Sequence, residues 1–157
     1  MPLFLIRHAD AADAACDFER PLSATGLRQV NQLTRFLRRN GMLRDVTAFW
    51  HSPLVRARET AHLLAAGLGG RIPLREVPGL QPDDSPRGIL TKLARVEESV
   101  AVVGHEPQLS ALATLLVSPD STAPVFIFQK GTVLALERFP VQWSVSWKIS
   151  PELLGET

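Results

Sequence analysis

The sequence predicts an α/β fold: a three-layer sandwich whose mainly parallel central sheet carries antiparallel edge strands near the C-terminus. Three observations predict it. Short apolar runs alternate with helix-periodic segments as far as Val117. From Val125 onward the helical period disappears, and strand-like runs follow one another with short connections. The chain has 157 residues, 45% hydrophobic and 21% charged, enough for one substantial core and too few for two ordinary ones. A single domain over residues 1–157 is therefore expected.

Leu3 to Ile6 is a short apolar run ending in a polar loop, as a buried first strand would be. The loop from Ala9 to Arg20 is rich in alanine and aspartate. Leu27, Val30, Leu33 and Leu37 then share one face at helical spacing, with Ser23 or Thr25 as the starting cap and Gly41 as the stop. Asp45 to His51 reads as a strand. Ser52-Pro53 has the form that opens a helix, a cap residue followed by proline, and this helix runs to about Ala66. Gly67 to Arg71 is a turn, Ile72 to Val77 a third strand, Gly79 to Pro86 a loop, and Arg87 to Arg95 a short helix. Ser99 to Val103 is the most strand-like parallel segment, and Gly104-His105-Glu106-Pro107 turns it into a helix through Val117. Val125 to Phe128, Thr132 to Phe139 and Trp143 to Ile149 complete the strands. The last alternates, with Trp143, Val145, Trp147 and Ile149 on one face, which reads as core rather than a base-stacking platform.

A formal charge of +1 gives no general reason to expect nucleic acid or an anionic membrane as a partner. The arginines are scattered along the chain and balanced by acids, so any phosphate recognition falls to a local site. Cys16 is the only cysteine, which rules out an intrachain disulfide and points to the cytoplasm. It reads as a small neutral residue rather than a nucleophile. The apolar opening Met1–Ile6 is cut off by Arg7, too soon for a signal-peptide core or a membrane span.

Three segments each run from a predicted strand into a polar turn and deliver cationic or imidazole side chains there. The first brings Arg7 and His8, the second His51 and then Arg56, the third His105. In an open α/β sheet the carboxyl ends of the strands are where ligands bind. Arginine's planar donor fork matches phosphate oxygens, and Arg56 leans back toward the sheet edge from the first turns of its helix. A neutral imidazole beside guanidinium groups keeps its lone pair at neutral pH and can attack phosphorus, while a second imidazole donates to the non-bridging oxygens. This parts list is complete without a metal or cofactor. A zinc site built from the histidines is disfavoured, because no two sit three or four residues apart and there is no cysteine cluster.

Taken together, Arg7-His8-Ala9, Ser52-Pro-Leu-Val-Arg-Ala-Arg-Glu-Thr60 and Val103-Gly-His105-Glu-Pro resemble the signatures of the histidine phosphatase superfamily, which includes the cofactor-dependent phosphoglycerate mutases. Ala9 stands where that family usually has glycine. The resemblance runs over nearly the whole length in the same segment order. It implies a phosphoglycerate mutase-like fold, with His8 as the nucleophile that becomes phosphorylated. It further implies that Arg7 and Arg56 bind phosphate and that His105 stabilises the transition state. Arg7-His-Ala-Asp-Ala11, Arg20-Pro-Leu-Ser-Ala-Thr-Gly26, Gly104-His-Glu-Pro-Gln-Leu-Ser110 and Lys130-Gly131 are most similar to the SixA-type phosphohistidine phosphatase branch. Mutase-type members carry a mid-chain insertion and a glutamate general acid. Here that region reads Pro78-Gly-Leu-Gln-Pro-Asp-Asp84, without a glutamate. Phosphohistidine, whose imidazole leaves more readily than an alkoxide, is the substrate such a site favours.

The expected partner is thus a phosphorylated protein or, in the alternative, a small phosphate ester; the oligomeric state is left open. A third possibility is a non-catalytic phosphate-binding module on the same fold. Asp83 and Asp84 remain candidates for a general acid. Arg20 has two readings, approach to the phosphate or a structural pairing that anchors the long loop. Arg7 has an alternative as the ion-pair partner of Asp10 or Asp13. Asp10 is expected to support the site from behind, Arg58 to be a surface charge, and His51 and His62 to be structural or superficial.

Overall fold

The opening apolar run forms β1 (Pro2–Arg7), and its alternation decides how the layers assemble. A computed structural model describes residues 1–155. Phe4 and Ile6 point into one core and Leu3 and Leu5 into a second, on opposite faces of the sheet. The same division recurs in β2 (Ala48–His51) and β4 (Val100–Gly104), both buried on the two faces as parallel central strands are. Helix α1 (Ala24–Arg39) and α2 (Val55–Gly67) cover the first face. The opposite face is covered by α3 (Pro86–Leu93) and α4 (Gln108–Val117). The result is the three-layer α/β arrangement of phosphoglycerate mutase-like folds.

The sheet has six strands in the order β3-β2-β4-β1-β5-β6, adding β3 (Leu74–Glu76), β5 (Val133–Arg138) and β6 (Trp143–Ile149). β3, β2, β4 and β1 are parallel, β5 runs antiparallel to β1, and β6 antiparallel to β5. Because β4 lies between β1 and β2, the three strand ends singled out in the sequence are neighbours.

The Ser23 hydroxyl accepts the Gly26 N–H at 3.0 Å, so Ser23 rather than Thr25 caps α1, and Gly41 ends the helix with φ +62°. Three expectations need correction. Leu27 is exposed; Gly26 takes the inward position instead, and a Cβ there would lie 2.0 Å from the Asp10 carbonyl oxygen. Val125 to Phe128 is not a strand: Val125 and Ile127 face solvent, and the Phe128 carbonyl is used by Arg7 rather than by a sheet neighbour. In β6 a bulge breaks the register, with Ala135 opposite Trp147 but Leu136 opposite Val145. The extra residue turns Trp143 to the second core while Trp147 and Ile149 stay on the first, so the four apolar residues do not share a face.

Candidate active site

Strand register brings the two key histidines together. Arg7 pairs with Gly104 across β1 and β4, so the next residues, His8 and His105, leave the sheet edge side by side. Their ring centroids are 4.9 Å apart, about one inter-strand spacing, with planes tilted by 50°. On the other side of β4, His51 pairs with Val103, which sets Ser52 beside Gly104. Backbone bonds fix the end of β1 from both flanks. The His8 N–H donates to the Gly104 carbonyl at 3.1 Å, and the Gly131 N–H reaches the carbonyls of both Arg7 and His8. Gly131 holds φ +76°, and a Cβ on it would meet Pro151 at 2.8 Å, so the clamp requires glycine.

His8 is 6% exposed and its Nδ1 lies 2.7 Å from the Ala9 carbonyl oxygen. A carbonyl only accepts, so the proton sits on Nδ1 and the lone pair on Nε2. Burial, with the Arg56, Arg7 and Lys130 charges adding to it, holds this imidazole down at about 4. The ring is therefore a neutral imidazole with a free lone pair, surrounded by positive charge.

His105 is 1% exposed, and its Nε2 lies 2.5 Å from the Ser52 hydroxyl. That hydroxyl also accepts the Leu54 N–H at 3.3 Å. The His105 Nδ1 is buried and has no partner among the described residues. Burial is the main cause that pushes His105 down to about 3, followed by His8 and Arg56. A buried N–H without a partner is costly unless something else, such as an oxyanion, accepts from it.

Arg56, the second residue of α2, is 6% exposed. It donates to the Asp17 carbonyl at 2.9 Å and to the Asp17 carboxylate at 3.4 Å. Arg7 donates from Nη1 to the Phe128 carbonyl at 2.6 Å, and its buried Nε is unpartnered among the described residues. The alternative of an Arg7 ion pair with Asp10 or Asp13 is not what forms. Asp10 instead accepts from Lys130 at 2.6 Å and from the Ser23 hydroxyl at 2.6 Å, and those bonds draw its pKa below the usual carboxylate range. This sets the Lys130 ammonium next to His8.

Arg20 resolves toward the loop. Its Nε donates to the Ala12 carbonyl at 3.0 Å and its Nη1 to the Asp17 carboxylate at 3.2 Å. Through Asp17 it still touches Arg56. Asp83 is exposed, and the Asp84 carboxylate accepts the Gln81 N–H at 2.9 Å within its own turn. His51 is buried, bonded through Nδ1 to the Ser52 carbonyl at 2.8 Å, while His62 and Arg58 lie on the surface.

Sequence reasoning missed several supporting groups. Ser52 is not the helix cap, a position held by Leu54, but the partner of His105. Thr60 accepts the Ala9 N–H at 3.1 Å and donates to the Arg56 carbonyl at 2.7 Å, joining the His8 loop to α2. Asp17 and Lys130 were the other two. Ser52, Thr60 and Lys130 lie inside motifs that carry the family resemblance, but Asp17 has no pattern around it at all.

These residues can bind an oxyanion between two guanidiniums and an ammonium, with an imidazole lone pair facing it and a second imidazole donating to it. No group of three or more residues suited to hold a metal ion occurs among the described residues. None of the described helices is long and apolar enough to cross a membrane.

Residues 3–82 match the model of the Histidine phosphatase superfamily (branch 1). The chain is similar to an uncharacterised protein of Picosynechococcus sp., 36% identical over 120 residues, covering 72% of this chain and 71% of that protein. Among solved structures it is similar to the protein histidine phosphatase SixA complexed with tungstate, with TM-score 0.88 and 24% identity over 99% of this chain and 100% of that one. It is also similar to a structure from Nakamurella multipartitia provisionally named phosphohistidine phosphatase SixA. That match has TM-score 0.67 and 30% identity over 86% of this chain and 83% of that one.

Proposed function

The chain belongs to the histidine phosphatase superfamily, and from that premise we propose that it hydrolyses phosphohistidine on a signalling or phosphotransfer protein, with His8 as the nucleophile. The observation that carries the reading is the state of His8: proton on Nδ1 toward Ala9, lone pair on Nε2, and a pKa held near 4. Arg7 and Arg56 bind the transferred phosphoryl group, and Lys130 adds a third positive charge, so the dianion is balanced by the chain's own side chains. As His8 Nε2 bonds to phosphorus, the phosphorus–nitrogen bond of the substrate breaks and the departing imidazole takes a proton from water. The His105 Nδ1–H stabilises the equatorial oxygens in both halves of the reaction. Water then attacks the phosphorylated His8, releasing inorganic phosphate and restoring the free imidazole.

Two features support phosphohistidine over an alkyl ester. The Pro78–Asp84 segment supplies no glutamate, and the Asp84 carboxylate is held in a turn by Gln81. An imidazole leaving group needs less help from an acid than an alkoxide does. The 30% identical Nakamurella multipartitia structure bears a phosphohistidine phosphatase name, which points the same way. Metal independence, a single-domain unit and a cytoplasmic location belong to the same proposal.

Incubation with a phosphorylated histidine phosphotransfer domain in the presence of a chelator should release phosphate. Turnover that survives His8→Ala would sink the reading. High turnover of one small phosphate ester, with none of phosphohistidine, would assign the same site to a small molecule.

A further inference from the structure

The near-neutral charge of the chain conceals an uneven distribution. Helix α1 carries Arg28, Arg35, Arg38 and Arg39 and not one aspartate or glutamate. All four arginines are exposed, and none forms an ion pair among the described residues. Arg38 and Arg39 sit in the last turn, where the helix dipole favours cations, so they have a local explanation. Arg28 and Arg35 lie outside that turn, and Arg28 makes only a neutral contact, donating to the Thr25 hydroxyl at 3.1 Å. They are seven residues apart, which places them on one side of the helix about 10 Å from each other.

Both line a groove of about 830 Å³ between α1 and the 3-10 turn at Pro151–Leu154, with Gln29, Gln32 and Pro151 among its walls. Glu152 is the one acid lining it. The groove is continuous with the catalytic loop. The Gln29 side chain accepts the Asp10 N–H at 2.9 Å, and Pro151 packs against Gly131, whose N–H holds the Arg7 and His8 carbonyls. A protein lying on this face would therefore reach from the reacting phosphoryl group onto two uncompensated guanidiniums.

We propose that the Arg28–Arg35 face of α1, with the groove beside it, is the docking surface for a cluster of surface carboxylates on the phosphohistidine-bearing substrate protein. This rests on the substrate reading above. Charge complementarity selects an acidic partner, and neither arginine is bonded to Arg7, His8, Arg56 or His105, so the face is matched to a protein rather than to a small substrate. The charges speed encounter and lower KM without entering the chemical step.

The test compares two substrates of the Arg28→Glu/Arg35→Glu protein: a phosphorylated phosphotransfer domain with an acidic surface helix, and phosphoimidazole. KM for the phosphoprotein is expected to rise about tenfold with kcat little changed, while phosphoimidazole kinetics stay at the wild-type level. Salt should raise the wild-type KM for the phosphoprotein and leave that of the variant nearly flat. The milder Arg28→Gln/Arg35→Gln pair should give a smaller rise in the same direction. Lysines in place of the partner's acids should recover turnover by the charge-reversed enzyme. An unchanged KM, or equal losses on both substrates, overturns the docking face. So does loss of binding to phosphatidylglycerol vesicles or short duplex DNA with phosphoprotein kinetics intact, which would hand the face to another polyanion. Wild-type enzyme that turns over phosphoimidazole but not the phosphoprotein overturns the substrate reading, and the docking face with it.

Discussion

Acidification separates this site from an ordinary histidine. In the proposed reaction His8 must be neutral to attack, and it is held at about 4 where an unburied imidazole sits at 6.5. At pH 5.5 a side chain of pKa 4 is about 97% neutral, whereas one of 6.5 is about 9% neutral. The site should thus keep nearly full kcat/KM at a pH where an unperturbed histidine would have lost about tenfold. The same burial acts on stability with a definite sign. His8 is neutral in the folded chain and protonates readily in the unfolded one, so stability is complete above 6.5 and falls as pH drops from there toward 4. At pH 5 the loss from this group is about 2 kcal/mol, by integrating the difference in bound protons between the two values. Urea midpoints at pH 7.5 and pH 5, for wild type and His8→Asn, give the stability half. The variant should lose about 2 kcal/mol less than wild type on acidification. A pH–rate profile on phosphoimidazole, corrected for the substrate's own protonation, gives the catalytic half. An acid limb in kcat/KM near 6.5, with equal acid sensitivity of the two proteins, would refute the argument that burial and neighbouring cations hold His8 neutral.

Three substitutions test the supporting groups. Thr60→Val removes the acceptor of the Ala9 N–H, and should cost about 1–3 kcal/mol in urea denaturation while lowering single-turnover rates about tenfold. Gly26→Ala puts a Cβ 2.0 Å from the Asp10 carbonyl oxygen, and should lower stability by about 1–3 kcal/mol with an unchanged urea m-value. Asp17→Asn removes the carboxylate that Arg56 and Arg20 share in the free protein; because that carboxylate is two-thirds exposed, the gain in vanadate affinity should be only about threefold. Weaker vanadate inhibition of the Asp17→Asn protein would show instead that Asp17 is needed to position Arg56.

What was legible in the sequence is what local chemistry dictates. The strand-turn-helix pattern placed Arg7, His8, Arg56 and His105 at one sheet edge because buried strands and capped helices advertise themselves in short windows. The failures have a common cause in tertiary partners. Ser52-Pro53 has the local form of a helix opening, but the Ser52 hydroxyl is taken by His105 from another segment. Val125 to Phe128 looks like a strand by composition, but the Phe128 carbonyl serves Arg7. The β6 bulge reverses the face of Trp143 without any proline or glycine to mark it. Asp17 was invisible for a related reason: its strongest bond to Arg56 comes from a backbone carbonyl, which every residue has. Arg20 could not be placed from its neighbours in sequence, since its guanidinium ties the loop down through the same carboxylate that contacts Arg56.

Covalent trapping tests the central claim most directly. Labelled phosphohistidine protein is mixed with the enzyme, quenched in base within one turnover, and digested for mass spectrometry. The phosphoryl group should be found on His8, be lost on brief acid treatment as a phosphoramidate is, and be absent from the His8→Asn protein. Label on any other residue, or steady turnover by His8→Asn, would contradict the account.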